Sequence, residues 1–310
     1  MRIIVTGGAG FIGSNLVHVL VQAHDVCVID DLSSGSPDNL HPGAVTRTMD
    51  ILDSRLPEVF AEFAPEVVVH LAAQPSVAAS FADPERDRAV NVEGTRAVAR
   101  AARTVGARRV LSASSAAVYG EPAEIPLREG SRTEPVNPYG VSKLSAEEVL
   151  ADELADSGCD FASLRFSNVY GPRQDATGEG GVVAVFCQAL AGGETPVIYG
   201  DGIQTRDFIF VGDVVGALLT AIAHEEALGG QGAAGAYNIS TGTETTVQAL
   251  ADTLRPVAGF FAPFEYGSER EGDVRRSALD PAKAADVLGW RASVPLATGL
   301  GPTFRWFAQR

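Results

Sequence analysis

Residues 1–30 read MRIIVTGGAGFIGSNLVHVLVQAHDVCVID, and this stretch predicts the fold. An apolar run at Arg2–Thr6 leads into a glycine-rich turn, a helical pattern over Phe11–Gln22 and a second apolar run at Asp25–Ile29. Short apolar runs that alternate with longer helical patterns are typical of a parallel sheet with helices on both faces. The chain is therefore predicted to begin with a strand–helix–strand unit of an α/β fold.

The alternation continues through the first half of the chain. Further strands are predicted at Val67–His70, Arg109–Ser112 and Phe161–Arg165. Further helices are predicted at Ser54–Phe63, Pro84–Val105, Pro138–Ser157, Val182–Ala191, Val214–His224, Thr246–Val257 and Pro281–Leu288. Past residue 170 the regular alternation of apolar runs and helical patterns gives way to loops that contain Gly and Pro. We therefore expect a Rossmann-type doubly wound parallel sheet in residues 1–170, to which later segments of the chain add strands and helices. Residues 171–310 are expected to form mainly a smaller α/β substrate-binding lobe.

Composition narrows the classes of partner. The chain has 310 residues, 45% of them apolar, which is enough to bury a large core. Its formal net charge of -15 argues against nucleic acid, because binding to a phosphate backbone depends on a basic face. A small anionic substrate stays possible if a few arginines gather locally.

The cysteines and the N-terminus indicate the compartment. Cys27, Cys159 and Cys187 are odd in number and lack the paired spacing of a metal site or a disulfide framework, so no metal is expected. The N-terminus enters a strand pattern directly, and no later run reaches the roughly 18 apolar residues that a membrane span needs. We expect a soluble cytoplasmic protein with no membrane partner.

The glycine-rich turn suggests a nucleotide site. Gly7, Gly10 and Gly13 are three residues apart between the first strand and the first helix. Glycines at this spacing allow a tight turn and a close approach to a pyrophosphate, while the helix N-terminus presents free amide groups to the phosphates. A tight turn with no ligand would show the same glycines, so the motif needs support from elsewhere.

That support comes from acidic residues after the second and third strand patterns. Asp30 ends the second strand, where a carboxylate can accept hydrogen bonds from both ribose hydroxyls of an adenosine and would repel a 2'-phosphate. No arginine follows closely, so NAD is favoured over NADP. A solvated turn is the alternative for Asp30 and Asp31. Asp50 and Ile51 follow a further strand-like stretch and could bracket the adenine.

A tyrosine and a lysine four residues apart suggest a base. Tyr139 and Lys143 would share one face of a helix. A free phenol has a pKa near ~10, and a neighbouring ammonium together with an oxidised nicotinamide favours the phenolate. A hydroxyl from Ser112–Ser115 could share the proton. A surface tyrosine beside a surface lysine is the alternative, but Lys143 and Lys283 are the only lysines in the chain.

These features belong to a longer series of motifs. They comprise TGGAGFIGS at 6–14, HLAAQ at 70–74, Asn91, SSAAVYG at 114–120, YGVSK at 139–143, RFSNVYGPRQ at 165–174, GDGIQTRDFIFVGDV at 200–214, YNIS at 237–240 and REGDVRRS at 270–277. In this order the motifs resemble the extended short-chain dehydrogenase/reductase superfamily, most closely its nucleotide-sugar epimerase and dehydratase branch. The resemblance spans nearly the whole chain.

The resemblance implies roles for individual residues. It implies Ser115, Tyr139 and Lys143 as the catalytic set. Around NAD it implies Gly7, Gly10, Phe11, Ile12, Gly13, Asp30, Asp31, Asp50, Ile51, Leu71, Ala72, Ala73, Asn91, Tyr139, Lys143 and Phe166. For the substrate it implies Ser115, with Asn168 at the diphosphate or sugar, Val183, Val197 and Tyr199 beside the base, Arg206 and Arg270 on the pyrophosphate, and Asp273 on the ribose.

Two alanines narrow the reaction. Dehydratases of this family have an acidic pair just before the Val-Tyr-Gly, and its sugar decarboxylases have a glutamate in the same stretch. Here those positions hold Ala116 and Ala117, which cannot move protons. The resemblance then implies NAD-dependent 4-epimerisation of a UDP-sugar through a transient 4-keto intermediate.

The sugar, the assembly and one different class of function stay open. UDP-glucose and UDP-galactose are the expected substrates. Ser277 stands where several family members have a bulky tyrosine, so the pocket is expected to be roomier and to tolerate N-acetylated forms. UDP-glucuronate is the alternative, with Ser115, Ser76 or Arg173 as donors to its carboxylate and Asp175 opposing it. The family also implies a homodimer through the helices at 84–105 and 138–157. A non-catalytic NAD-binding sensor or scaffold protein is the alternative of another class.

Overall fold

The computed structural model describes residues 1–121, 124–176, 181–230, 232–269 and 274–310. Within these ranges the strands are β1 Arg2–Thr6, β2 Asp25–Asp30, β3 Val45–Thr48, β4 Val67–His70, β5 Arg109–Ser115, β6 Asp160–Phe166, β7 Asn168–Tyr170, β8 Val197–Tyr199, β9 Thr205–Arg206, β10 Phe208–Phe210, β11 Ala236–Ile239, β12 Thr245–Thr246 and β13 Glu265–Gly267.

Helices alternate with strands in the first half of the chain, and in the second half the helices are longer than the short strands between them. They are α1 Phe11–Leu20, α2 Leu56–Phe63, α3 Val77–Ala82, α4 Pro84–Arg88, α5 Gly94–Thr104, α6 Pro138–Leu154, α7 Val182–Ala191, α8 Val211–Ala223, α9 Val247–Val257, α10 Ala282–Leu288 and α11 Leu296–Ala308. Short 3₁₀ turns occupy Pro37–Asn39, Ala116–Tyr119 and Gly232–Ala234, and one π-helical turn spans Ala89–Glu93. No helix in the described ranges combines the length and the apolarity needed to cross a bilayer.

A seven-stranded sheet organises the molecule. Its strand order is β11-β6-β5-β4-β1-β2-β3, and every neighbouring pair is parallel. The chain moves outward from β1 to β3 and then crosses back to β4 on the other side of β1. In open α/β sheets a ligand crevice forms at this reversal, outside the carboxyl ends of the strands. The predicted α/β class and Rossmann-type sheet are confirmed.

Both faces of the sheet are buried, which explains the continuous apolar runs of its strands. Ile3 and Val5 point into one core with α1 and α8, and Ile4 points into the opposite core with α2, α5 and α6. A third apolar cluster joins α7, α9 and α11 in the second half of the chain. Strand β11 returns to the sheet from that half. The division at residue 170 stays a prediction.

Most predicted elements are confirmed within one to three residues, with one interruption. The helix predicted over Pro84–Val105 is α4, a π-helical turn and α5, because an extra residue enters the turn at Ala89–Glu93. The hydroxyl of Thr95 donates to the carbonyl oxygen of Asn91 at 2.6 Å inside this segment. Helices α3 and α11 and strand β11 were not among the predicted elements.

Candidate active site

A cavity of about 1310 Å³ opens at the carboxyl edge of the central sheet. Its walls come from the ends of several parallel strands, with Gly7 after β1, Asp30 at the end of β2, Leu71 after β4 and Ala113 in β5. This is the crevice that the strand order predicts. Helix α11 and the end of α7 close the opposite side through Trp306, Phe307, Gln188 and Ala191.

The glycine turn leaves its backbone exposed to this cavity. A methyl group on Gly13 would come within 2.1 Å of the carbonyl oxygen of Gly7, so the turn closes only with glycine at this position. Helix α1 starts at Phe11 with no side-chain cap on its first amide groups. Free amide groups at a helix N-terminus form a site for an anion. The turn therefore fits the pyrophosphate of a dinucleotide.

Asp30 is held at the cavity by its own backbone contacts. Its Oδ2 accepts from the amide of Ala9 at 2.8 Å and its Oδ1 accepts from the amide of Leu32 at 2.9 Å. Burial raises the pKa of Asp30, while these two amide groups lower it. A carboxylate fixed in this way keeps lone pairs for further donors, as ribose recognition requires. Asp31 is exposed and accepts from Ser33, whereas Asp50 faces Arg86, with Nη2 and Oδ2 3.5 Å apart.

Most residues expected around NAD line the cavity. These are Gly7, Gly10, Phe11, Ile12, Gly13, Asp30, Asp31, Asp50, Ile51, Leu71, Ala72 and Ala73. The remaining four, Asn91, Tyr139, Lys143 and Phe166, lie outside its lining. Phe166 is buried in the core beside the sheet, and the side-chain amide of Asn91 bonds to the backbone of Gln74. Their roles stay predictions.

The cavity also has lining residues that the sequence motifs did not single out. They are contributed by the loop after Asp31, the loop before α3, the π-helical turn and α4, and include Ser33, Ser34, Ser36, Asn39, Pro75, Val90 and Arg86. Asn39 donates to the carbonyl oxygen of Ala9 at 3.0 Å and so ties its loop to the glycine turn. The run of small polar residues after Asp31 was the available signal for this loop. No local pattern pointed to Arg86, because it reaches the cavity from α4, which is distant in sequence from the glycine turn.

The expected catalytic side chains meet where β5 faces the first turns of α6. Asn137 caps α6 by accepting from the amide of Gly140 at 2.8 Å, which fixes Tyr139 and Lys143 on one face. The side chain of Ser115 lies close enough to the phenol of Tyr139 to lower its pKa. The ammonium of Lys143 donates to the carbonyl oxygen of Ala113 at 3.1 Å and lies 5.9 Å from the centre of the Tyr139 ring.

Two further contacts fix the end of β5 against α6. A methyl group on Gly140 would come within 2.6 Å of the carbonyl oxygen of Ala117, so glycine permits the close packing of the turn after Ser115. One residue before Ser115, the hydroxyl of Ser114 donates to the carboxylate of Glu147. Ser115 and Tyr139 are therefore held by packed elements rather than by mobile loops, as a site of defined geometry needs.

The protonation states of Tyr139 and Lys143 reflect their burial. Burial raises the pKa of Tyr139, and the nearby Ser115 side chain offsets only part of this effect. The phenolate is expected from Lys143 acting together with an oxidised nicotinamide, and this stays a prediction. Burial likewise lowers the pKa of Lys143 to about 8. The positive charge of an oxidised nicotinamide is the remaining influence that would favour the phenolate.

The residues expected around the substrate are distributed over the second half of the chain. Asn168 is exposed on β7, Tyr199 is exposed on β8, and Arg206 and Val197 are partly buried on β9 and β8. The side chain of Val183 is buried in the α7 core, so any ligand contact there falls to its backbone. Arg270 and Asp273 lie outside the described residues. The substrate roles of all seven stay predictions.

Arg173 lines the cavity and is also bonded to α1. Its guanidinium donates to the carbonyl oxygen of Ser14 at 3.0 Å and approaches the ring of His18 at 2.9 Å, both on α1. The side-chain amide of Asn15 donates a further hydrogen bond to the carbonyl oxygen of Pro172 at 3.1 Å. This placement fastens the loop after β7 to α1 and gives Arg173 a use other than binding a sugar carboxylate.

Comparison with known proteins supplies the family. Residues 3–240 match the sequence profile of the NAD dependent epimerase/dehydratase family. This match covers more than half of the chain and includes the glycine turn, Ser115, Tyr139 and Lys143. The chain therefore belongs to the NAD dependent epimerase/dehydratase family.

Individual relatives are similar over their full length. A UDP-glucose 4-epimerase of Mycolicibacterium smegmatis is 43% identical, with 100% of this chain and 99% of that protein covered. The crystal structure of a UDP-glucose 4-epimerase from Thermotoga maritima with UDP-glucose has a TM-score of 0.94 at 39% identity, covering 100% of this chain and 99% of the other. A UDP-N-acetylglucosamine 4-epimerase from Methanobrevibacter ruminantium in complex with UDP-N-acetylmuramic acid has a TM-score of 0.93 at 33% identity, covering 99% and 98%.

Two glycine substitutions should separate the turn from the ligand contact. We expect Gly13→Ala to lower the free energy of unfolding of the cofactor-stripped protein by about 1–3 kcal/mol, because its methyl group has no room. Gly10→Ala should cost clearly less stability than Gly13→Ala, since its added methyl group would lie 3.2 Å from the carbonyl oxygen of Gly7, a close contact that a small shift relieves. Because Gly10 lines the cavity, NAD affinity should fall by about tenfold or more, which corresponds to ~1.4 kcal/mol.

Denaturant unfolding and calorimetric titration with NAD would measure the two effects. Equal losses of stability in both variants, or an unchanged NAD affinity in Gly10→Ala, would contradict this account of the glycine turn.

Proposed function

We propose that this chain is an NAD-dependent 4-epimerase of UDP-sugars, acting on UDP-glucose and UDP-galactose. The observation that carries the proposal is the convergence of three side chains, with Ser115 near enough to the phenol of Tyr139 to lower its pKa and Lys143 one helical turn further on. Ala113, which accepts from Lys143, also lines the cavity that fits a dinucleotide. The relatives named above as UDP-sugar 4-epimerases support the same reaction.

The side chains of the site divide the proton chemistry between them. The C4 hydroxyl of the sugar gives its proton to the Tyr139 oxygen as its C4–H bond breaks, which leaves a 4-keto sugar. NAD, when bound in the glycine-lined cavity, would supply the acceptor and later the donor of the C4 hydride. After the ketone has turned over, Tyr139 gives the proton back to the C4 oxygen as the C4–H bond forms again on the other face. Ser115 orients the oxygen during both transfers, and the Lys143 charge favours the deprotonated phenol.

The residues beside this set favour epimerisation over elimination. Ala116 and Ala117 form the short turn directly after Ser115 and offer no acid or base. Water loss from the sugar needs an additional proton donor and acceptor at this point. The minimal set of Ser115, Tyr139 and Lys143 is sufficient for reversible oxidation at C4 and for nothing that needs a second acid.

Replacing the phenol tests the base directly. We expect Tyr139→Phe to lower the turnover of UDP-galactose by about two to four orders of magnitude, the range for loss of a positioned acid or base. NAD should remain bound, because Tyr139 does not line the cofactor cavity. The measurement is conversion of UDP-galactose to UDP-glucose, together with the absorbance of bound NAD.

Tyr266→Phe is the matched control, since Tyr266 is exposed and lies on β13. Its turnover should equal that of the unaltered protein. A Tyr139→Phe variant at the normal rate would overturn the proposed role. Bound NAD with no turnover of any nucleotide-sugar by the unaltered protein would favour the sensor or scaffold alternative.

The sugar preference is proposed to depend on Ser277. The chain just after Ser277 is fixed near the catalytic strand, because the amide of Leu127 donates to the carbonyl oxygen of Ala278 at 2.9 Å. Leu279 packs with Val118, three residues after Ser115. A small residue in this place leaves room beside the sugar, which would admit an N-acetyl group.

A bulky residue at this position should narrow the range of sugars. We expect Ser277→Tyr to lower kcat/KM for UDP-N-acetylglucosamine by about tenfold or more and to change the value for UDP-glucose much less. Ser277→Ala, which keeps the small volume, is the control. Unchanged activity on the N-acetylated sugar in Ser277→Tyr would refute the steric argument.

The nucleotide diphosphate is proposed to bind Asn168, Val183, Val197, Tyr199 and Arg206, together with Arg270 and Asp273. Arginine suits this role because its guanidinium is always charged and binds phosphate oxygens at two points. Two arginines at short range can attract a diphosphate in spite of the net charge of -15.

We propose a homodimer formed through the outer faces of α4–α5 and α6. Apolar side chains are exposed there, with Val136 53% and Val141 50% accessible beside a groove that Pro84 and Val92 also line. The proposal is supported by the resemblance to a family whose members often dimerise through two helices per subunit. A second copy of this chain would cover these valines.

The mass in solution tests the dimer. Sedimentation of the unaltered protein should give twice the mass of one 32.3 kDa chain, and Val141→Glu should shift it to a monomer because a buried charge without a partner is costly. Val287→Glu, at an exposed position of α10, should stay dimeric. A monomeric unaltered protein would contradict the proposal.

We propose a cytoplasmic location because the cysteines are free thiols. Cys27, Cys159 and Cys187 are all buried free thiols, and burial raises the pKa of each. Free thiols are typical of a reducing compartment.

A further inference from the structure

Asp87 is a buried carboxylate on an otherwise exposed helix. Its side chain is 1% accessible, whereas Glu85 and Arg88 on the same short helix are exposed. Its Oδ1 accepts from the side-chain amides of Gln74 at 2.7 Å and Asn91 at 3.2 Å. Its Oδ2 is buried and has no hydrogen-bond partner among the described residues. A buried charge that is only half satisfied is costly, so another group must compensate it.

The contacts of Asp87 lead to both parts of the site. Gln74 lines the cofactor cavity, and its backbone amide donates to Asn91 at 2.9 Å. Asn91 also donates to the hydroxyl of Ser142 at 3.0 Å, and Ser142 donates to the carbonyl oxygen of Tyr139 at 3.0 Å. Asp87 therefore lies between the cavity wall and the first turn of α6, where Tyr139 and Lys143 stand.

The charged groups around Lys143 come from three elements. His70 on β4 is buried between the hydroxyls of Thr6 and Thr95, and burial lowers its pKa to about 3, so it stays neutral. Glu147 on α6 and Asp87 on α4 both raise the pKa of Lys143, with Asp87 the larger of the two.

Of the two carboxylates, only Asp87 lacks an arginine in the described part of the chain. Glu147 accepts from Arg165 at two points, 2.9 Å and 2.6 Å, so its charge is already matched. No described ion pair involves Asp87. The Lys143 ammonium is the cation that its charge influences most directly, and the same charge opposes ionisation of Tyr139.

We infer that Asp87 is a positioning residue whose buried charge keeps Lys143 protonated and sets the pH range in which Tyr139 exchanges its proton. The inference rests on the proposed function for its effect on turnover, but its electrostatic core concerns this chain alone. Asp87 touches neither substrate nor cofactor in this account and acts through Lys143 and Tyr139.

The direction of the effect follows from the charges. Asp87→Asn keeps an oxygen for Gln74 and Asn91 and removes only the negative charge. The pKa of Lys143 should then fall below about 8, because burial is opposed less. The pKa of Tyr139 should fall too, because its phenolate is repelled less. Both limbs of the pH profile of kcat should move to lower pH.

Titration of the lysines tests the charge without any substrate. Lys143 and Lys283 are the only lysines, so isotope-labelled lysine gives two assignable side-chain signals in nuclear magnetic resonance. In Asp87→Asn the Lys143 midpoint should fall by about one pH unit, the lower end of the effect of a nearby opposite charge. Lys283, on α10, should not move. Glu85→Gln, which removes an exposed charge from the same helix, should move neither.

The pH profile of kcat for UDP-galactose gives the second measurement. Both limbs should shift by about one pH unit towards lower pH in Asp87→Asn, whereas a merely structural loss would lower kcat at every pH without moving them. Asp87→Ser removes the same charge with a smaller side chain and replaces Asp87→Asn if the amide prevents folding, as judged by circular dichroism.

A folded uncharged variant with the normal Lys143 midpoint would overturn the inference. An unaltered protein that converts no nucleotide-sugar would instead overturn the proposed function, while the lysine titration would still decide the role of Asp87.

Discussion

The dehydrated ammonium group of Lys143 is the constraint to which the rest of the site conforms. A buried lysine loses its charge unless nearby groups stabilise it, and here burial already brings its pKa to about 8. The carbonyl oxygen of Ala113 accepts from it, and the carboxylates of Asp87 and Glu147 favour its charged form. Because these groups come from β5, α4 and α6, stabilising one charge also fixes three elements relative to one another.

A second network, made of buried hydrogen bonds, holds the end of β5 in place. Arg165 on β6 binds Glu147 and donates to the hydroxyl of Tyr119 at 3.0 Å, and Tyr119 donates to Asn238 on β11 at 2.7 Å. This network links the end of β5 to the last strand of the sheet through hydrogen bonds that are all inside the protein. Removing one member would leave its partners buried and unsatisfied, so the network acts as a single unit. It therefore joins β11, a strand from the second half of the chain, to its neighbour β6 and to the turn after β5.

The sequence predicted those features that arise from local pattern. Short apolar runs and the glycine spacing predicted β1, α1, β2 and their crevice, because both are set by residues close together in the chain. The pairing of Tyr139 with Lys143 followed from helical spacing in the same way. Asp87 and Arg86 were not predicted, since their function depends on where α4 packs, and an acidic residue in a charged stretch such as PERDR reads as solvated surface. Burial of one carboxylate among exposed neighbours is a tertiary effect that no local pattern shows.

The proposed site combines packed elements with short strands and loops, and this combination lets one fold accommodate several sugars. Ser115, Tyr139 and Lys143 stand on β5 and α6, which are packed against the core, whereas the residues proposed for the nucleotide-sugar lie on short strands and loops of the second half. Two similar structures whose names give different UDP-sugars have TM-scores of 0.94 and 0.93 to this chain, so the backbone hardly distinguishes them. The chemistry at C4 is common to such sugars and needs one fixed geometry. We therefore attribute discrimination among them to the volume of individual side chains, and Ser277 is the residue proposed for this role.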